Sequence, residues 1–550
     1  MSVTDALGQT TVNTYDANGN LLAVAHPNGR RVSYTYNGIN AVTSIAHDGQ
    51  IKVSFGYDAN GNLTSMHLAG DPAPYTYAHN DQNRLVSAVE PSGNRVDYTY
   101  DGDGNITQET VTVGGSVYVV SSTYDAKGRQ LSLTEQGGST VSFAYGDNDR
   151  LASVTLPNGS KKELFYDPAN RVTRVAHVDA SGSVLWSESY QYDGNGNKLK
   201  VTDQDGRVAT YEYDALNRLI SETDPVTGQR TVYQYDPAGN RTQKTVYDAQ
   251  GNVLSTTSYT YNLANELIAV NGTTYTYDAN GNLTSDGQRT YVWDAENRLV
   301  EVREAATGAL IASYTYDGLG RRLSQTTPQG TTYYHYSGDK VAYETDEAGN
   351  ITLMFTYDPA GLPLTMRYQG QTYYYHTNDR GDVLRITDSN GNVVASYRYD
   401  AWGNILEASG PLAAVNPYRY AGYRFDGATG LYYLKARYYS PGLARFLSPD
   451  TVLGNPWNGI TLNWYVYSNN NPMILVDPEG RLPAAVVGAL LGAASAAASY
   501  GYEVYKKRRR FSVKSFAVRV GVSASLGAMG SYVGSVLKTA GASKAVQWGW

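Results

Sequence analysis

The sequence predicts an all-β repeat protein made of consecutive antiparallel hairpins, and three observations carry that expectation. The phrase Tyr-Asp-Ala-Asn-Gly-Asn-Leu stands at 15–21, 57–63 and 277–283, with degenerate copies between. Taking one aromatic per unit, from Tyr15 to Tyr399, gives nineteen units spaced 16 to 26 residues apart, 21 being the commonest interval. Self-similarity of that kind marks a repeat architecture before any finer assignment. The third observation is compositional: 50 Tyr stand against 8 Phe, with 56 Gly. A solid core would use Phe as freely as Tyr, so the excess predicts wide sheet faces on which one edge of each ring stays wet.

Each part of a unit has a mechanical reading. Runs such as Thr274-Tyr275-Thr276-Tyr277 alternate across a strand, and both residue types favour strands. Asp-Ala-Asn-Gly-Asn then ends the strand, because Asp and Asn bond their own backbone and Gly supplies a positive φ. The Leu-Thr-Ser or Arg-Leu-Val that follows returns as the second strand. The alternative is a helical solenoid, and the lack of apolar residues at helical spacing argues against it. Roughly 38 strands at about 4.8 Å each make a ribbon of roughly 180 Å, about one turn of a ring some 60 Å across. Asp5-Ala6-Leu7-Gly8 already looks like a repeat turn, so a second chain or a preceding segment is expected to complete the wall. Arg380-Gly381-Asp382, in the last repeats, reads as a glycine turn between strands and not as an adhesion triplet.

The chain carries a formal charge of −7 and no Cys, so neither disulfides nor thiolate metal sites hold it. The charge is split. Residues 483–550 hold nine Lys or Arg and a single acid, Glu503, for +8 against −15 in the remainder. The start, MSVTDALGQTT, has neither a basic nor an apolar region of the kind a secretory signal needs. No HExxH is present, the seven His are scattered through repeat positions, and the NGN loops are turns and not phosphate cradles. No cofactor or metal is expected.

Residues 418–482 differ from the repeats. They read YRYAGYRFDGATGLYYLKARYYSPGLARFLSPDTVLGNPWNGITLNWYVYSNNNPMILVDPEGRL, with Arg419, Arg424, Arg437 and Arg445 interleaved among eight aromatics. Such interleaving can bind single-stranded nucleic acid, but the acidic body argues for an end plug in which Arg stacks on Tyr. This stretch closely resembles the core that ends the Rhs (YD-repeat) shell proteins, a family shared with the C component of insecticidal toxin complexes. The resemblance extends over about 1–482. It implies a hollow β-shell, or cocoon, over 1–417, a core over 418–482 that seals it, and a variable C-terminus inside as cargo.

The resemblance also implies a single self-cleavage by an aspartic-protease-like pair. Its motifs place that pair at Asp450, in Arg445-Phe446-Leu447-Ser448-Pro449-Asp450, and at Asp477, in Asp477-Pro478-Glu479-Gly480. Two carboxylates held close cannot both ionise, so one becomes an acid and the other a base towards water. Arg445 is the candidate to hold one carboxylate ionised or to polarise the scissile carbonyl. Asp-Pro-x-Gly is equally a type I turn sequence and recurs at 236–239 and 358–361, so the motif is distinguished by its setting at the end of the repeats. The family pattern puts Leu directly after Gly, with the cut after that Leu. Here Arg481 intervenes, and the expected bond is Leu482–Pro483.

The tail, 483–550, holds two uncharged runs, 483–502 and 520–537, on either side of the basic cluster 506–510. Gly488/Gly492 and Gly530/Gly534 give each run the spacing that lets helices approach closely. A small α-helical tail is expected, open to three uses: a toxin or membrane-inserting hairpin acting on membrane lipid, a buried soluble hairpin, or a linker to a further toxin. The functional expectation is a toxin-delivery shell for competition between bacteria, released through a dedicated secretion or delivery apparatus and matched by an immunity protein. Nucleic acid is not expected on the shell. The alternative is a non-catalytic cell-surface YD-repeat protein for adhesion or carbohydrate binding.

Overall fold

The computed structural model describes residues 1–147, 149–452 and 459–481, with the backbone of Ala484–Ala485. Forty strands run in chain order from Ser2–Thr4 to Ile405–Ser409. Twenty-six lie in one sheet ending at Thr273–Thr274, and fourteen in a second beginning at Thr276–Tyr277. Within each sheet a strand pairs antiparallel with its neighbours in sequence, as Thr10–Tyr15 does with Leu21–Ala25. Between the sheets only Tyr275 intervenes, and its N–H still reaches Ile268 O at 2.9 Å. Helix among the described residues is limited to short 3-10 turns, and none is long and apolar enough to cross a membrane.

The turns explain the repeated phrase. Asp58 Oδ1 accepts the N–H groups of Asn60 and Asn62 at 2.9 and 2.8 Å, and its Oδ2 accepts Asn62 Nδ2 at 2.8 Å. Gly61, at φ +82°, supplies the left-handed step. Asn62 Nδ2 also reaches Asn83 Oδ1 of the next turn at 2.9 Å, so turns bond to turns along the rim. Where Arg replaces that Asn, the ladder persists. Arg218 bonds Asp214 at 2.6 Å, stacks on Tyr235 and donates to Asp236 O at 3.0 Å.

The tyrosines do more than line faces. Tyr57 donates its hydroxyl to Val42 O at 2.8 Å, and Tyr36 to Leu21, Tyr166 to Leu151 and Tyr213 to Lys198 repeat that step of 15 residues. Each acceptor is the first residue of the strand that follows the previous turn. The phenol is therefore a staple between units, which Phe cannot be, and the expected wet ring edge is here a bond to backbone.

The ribbon also laps itself, where a single turn of a ring was expected. Asn28 meets Asn280, His47 meets Glu296, Glu109 meets Ser337, Glu135 meets Thr365, Lys198 meets Asp379 and Asp224 meets Arg398. The sequence separation of these partners falls from 252 to 174, so the lap shortens toward the end of the wall. On the seam, His177 Nε2 donates to Thr377 O at 3.0 Å, since a carbonyl can only accept. His177 Nδ1 must then accept from His376 Nδ1 at 2.9 Å, and His376 Nε2 from Thr387 Oγ1 at 2.8 Å. Both rings are neutral, their pKa values lowered first by burial, that of His376 to about 3.

Residues 418–452 and 459–481 pack against the wall as a plug. Four short strands, Arg424–Asp426, Leu431–Leu434, Arg437–Ser440 and Arg445–Phe446, form a small sheet. It is keyed to the wall by buried ion pairs, Asp426 with Arg322 at 2.6 Å and Arg424 with Glu344. Asn463 and Asn471 continue the Asn ladder onto Asn240 at 2.6 Å and Asn197 at 2.8 Å.

Candidate functional site

Arg437 opens the strand Arg437–Ser440, directly after a tight turn in which Lys435 takes φ +57°. Its guanidinium carbon lies over Phe446, 3.6 Å from the ring centroid. Three nitrogens serve three elements. Nε donates to Gly480 O, Nη1 to Trp464 O at 2.7 Å, and Nη2 lies 2.7 Å from Asp450 Oδ2 and 3.4 Å from Asp477 Oδ2. One guanidinium nitrogen thus gathers two carboxylates from segments far apart in sequence.

Asp450 follows the strand Arg445–Phe446 and is fixed by its N–H to Trp464 O at 3.0 Å; its Oδ1 accepts Val452 N–H at 2.9 Å. Asp477 follows Leu475–Val476, which pairs with Ala484–Ala485. Its N–H goes to the Tyr423 hydroxyl at 2.7 Å, and its Oδ1 accepts Arg481 N–H at 2.9 Å. That last contact is the one wall turns such as Asp58–Asn62 and Asp236–Asn240 make between Asp and the residue four further on, so Asp477 sits in a reused repeat turn. The difference is Oδ2, which faces Arg437 and not a neighbour in its own turn. Gly480 ends the turn at φ +67°, and a Cβ there would come 2.6 Å from Leu434 O, so only glycine fits.

Burial governs the titration. It raises Asp450 to about 6, against the pull of Arg437 and with a further push from Asp477. Burial likewise raises Asp477, again opposed by Arg437. The Asp477 side chain is 1% exposed and that of Asp450 12%. The pair therefore has a sealed member and a member on the side open to water. With one shared cation, the arrangement suits one ionised and one protonated carboxyl.

Arg445 is not part of this cluster. Its Nη2 donates to Asn265 O at 2.6 Å and its guanidinium stacks on Tyr261 and Tyr465, facing the wall. Its strand pairs Ser440 with Arg445, which turns it away from the carboxylates; the arginine between them is Arg437. Leu482 and Pro483, the expected cleavage residues, and the tail 483–550 lie outside the described residues apart from the backbone strand Ala484–Ala485.

The Teneurin YD-shell family model matches residues 1–122, 103–246 and 209–473. The chain is 37% identical to the tRNA3(Ser)-specific nuclease WapA of Bacillus spizizenii over 371 residues, covering 67% of this chain and 16% of that protein. It is 26% identical to toxin protein Tse5 of Pseudomonas aeruginosa, covering 70% of this chain and 36% of Tse5. The chain thus spans well under half the length of these relatives. Among solved structures, the crystal structure of TcdB2-TccC3 superposes with a TM-score of 0.72 at 19% identity, over 86% of this chain and 28% of that one, and shares the fold. With the repeats, the lapped ribbon and the plug in place, the chain belongs to the Rhs or YD-repeat shell family.

Proposed function

We propose that this chain is a toxin-encapsulating shell that cuts its own backbone once, near Leu482, and so frees the segment from Pro483 onward inside the vessel. The observation that supports it is the pair Asp450 and Asp477 on one buried nitrogen of Arg437. In this reading one carboxylate takes a proton from water as its oxygen attacks the scissile carbonyl. The protonated partner then gives its proton to the leaving nitrogen as the C–N bond breaks. Arg437 keeps the single negative charge of the pair in place throughout. The three segments are 1–417 as wall, 418–482 as plug and cutting site, and 483–550 as cargo.

The toxin names of the similar proteins support a cargo of that class, with an immunity protein and a delivery apparatus as partners. A further YD-repeat segment, in this chain's own protein or a second one, would complete the wall. Competition between bacteria is the setting this reading favours. The test is gel electrophoresis of the purified protein under denaturing conditions. A released fragment near the mass of 483–550, absent from Asp450→Asn and Asp477→Asn, supports cleavage; one intact band from the native sequence overturns it.

A further inference from the structure

Most buried arginines around the plug have a carboxylate. Arg322 has Asp426, Arg380 has Asp382, Arg424 has Glu344 and Arg437 has Asp450 and Asp477. Arg241, which opens the wall strand Arg241–Tyr247, is as buried as these and forms no ion pair among the described residues. Its guanidinium lies in the corner formed by two rings set edge to face, 4.3 Å from the centroid of Tyr233 and 4.2 Å from that of Trp402. The other groups around it are phenols, those of Tyr235, Tyr259 and Tyr439, of which Tyr235 takes a hydrogen bond from the guanidinium. Burial holds Tyr233 and Tyr439 neutral by raising them well above their ordinary value. Glu222 is nearby but committed, accepting from the Tyr233 hydroxyl and from Ala401 N–H.

Two of the guanidinium's donors, Nε and Nη2, meet no acceptor, and neither does Nε1 of the Trp402 ring stacked on it. In arginine, Nε–H and the adjacent Nη2–H lie side by side and parallel, forming the fork that grips an anion with two bonds. A buried cation without a counter-charge is costly, and so are buried donors without acceptors. Ring faces answer part of the charge, but they do not answer donors that point along the guanidinium plane.

We propose that Arg241 is the heart of an anion site between wall and plug. It would take a small monovalent anion from solution, of halide size, as the chain folds. The anion would sit on the Nε/Nη2 fork at the place where wall strands 230–247 meet Trp402 and the plug's Tyr439. This inference does not rest on the cleavage reading, since the site lies on a different arginine and serves closure of the vessel.

The test uses the intact protein purified and crystallised in sodium bromide. Anomalous scattering is expected to place bromide within hydrogen-bond reach of Arg241 Nε and Nη2. The melting temperature should be higher by several degrees in bromide or chloride than in a bulky organic sulfonate of equal ionic strength. Arg241→Lys, which keeps the charge and loses the fork, should abolish that difference. No anomalous peak at the fork overturns the proposal. So does a peak with a melting temperature indifferent to halide, which would mean an adventitious ion only. The crystallographic arm needs no variant, so a misfolded Arg241→Lys leaves the proposal open to refutation.

Discussion

Arg437 is the residue on which the candidate site turns, since its three nitrogens touch Gly480, Trp464 and both carboxylates. Arg437→Lys replaces a rigid fork with a point charge that cannot serve all of these at once. We expect it to slow cleavage by about 100-fold or more, the precursor band persisting on a denaturing gel. Arg445→Lys should leave cleavage intact, because Arg445 serves Asn265 and two rings of the wall and plug. The pH dependence has a definite sign. Asp450 is raised to about 6, so the folded site holds a proton between pH 4 and 6 that the unfolded chain has released. The stability contributed by that group falls as pH rises through this window. A step that needs the protonated pair should slow above pH 6, by about tenfold per unit. Refolding the denatured precursor between pH 5 and 8 and following the released fragment checks this; a flat profile refutes it. The two aspartates were legible through their motifs, but the arginine was not. Nearness in sequence favours Arg445, five residues before Asp450, whereas the pairing of strands Arg437–Ser440 and Arg445–Phe446 decides which one faces the carboxylates.

At the scale of the element, the wall unit was legible almost in full, because its instructions are local. Asp, Asn and Gly fix the turn, and Thr and Tyr fix the strands. What was not legible is the use of the phenol, since a bond to a carbonyl 15 residues earlier leaves no mark in the local pattern. Tyr57→Phe removes one such staple and leaves Val42 O without that donor. A loss of about 1 kcal/mol is expected, measurable by urea unfolding, with the shell still formed. The Asp477 turn shows the converse limit. Asp236-Pro237-Ala238-Gly239 and Asp477-Pro478-Glu479-Gly480 are alike in sequence, yet Asp236 Oδ2 is held at 2.9 Å by Asn240 of its own turn while Asp477 Oδ2 faces Arg437. Gly480→Ala forces a side chain into a left-handed position and against Leu434 O. It should stop cleavage by shifting this turn while the wall keeps its melting behaviour, a pairing of gel and calorimetry that separates a local from a global fault.

For the whole molecule, the count of repeats announced a long ribbon but not its lapping, because partners such as Asn28 and Asn280 carry no signal of each other. The lap has a seam, and the seam has a sign with pH. His177 and His376 are depressed by burial, with Lys162 and Arg385 adding to the effect. Their neutral forms contribute stability above pH 6.5, and it is lost as pH falls. A proton on His177 Nδ1 would face the N–H of His376. Hydrogen-exchange protection, corrected for the intrinsic rate at each pH, should therefore fall in 172–178 and 376–387 between pH 7 and 5, before strands distant from the seam respond. The arrangement of Arg437 also imposes an order of events. Its bonds to Trp464 O, Gly480 O and the two carboxylates exist only once the plug has folded, with the strand Arg437–Ser440 set against the segments that carry Asp450, Trp464 and Gly480. If the pair cuts as proposed, the blade is assembled by the folding of the plug. On the proposed reading, a chain whose plug has not folded carries both aspartates and cannot use them, so the cargo would stay tethered until the plug is built.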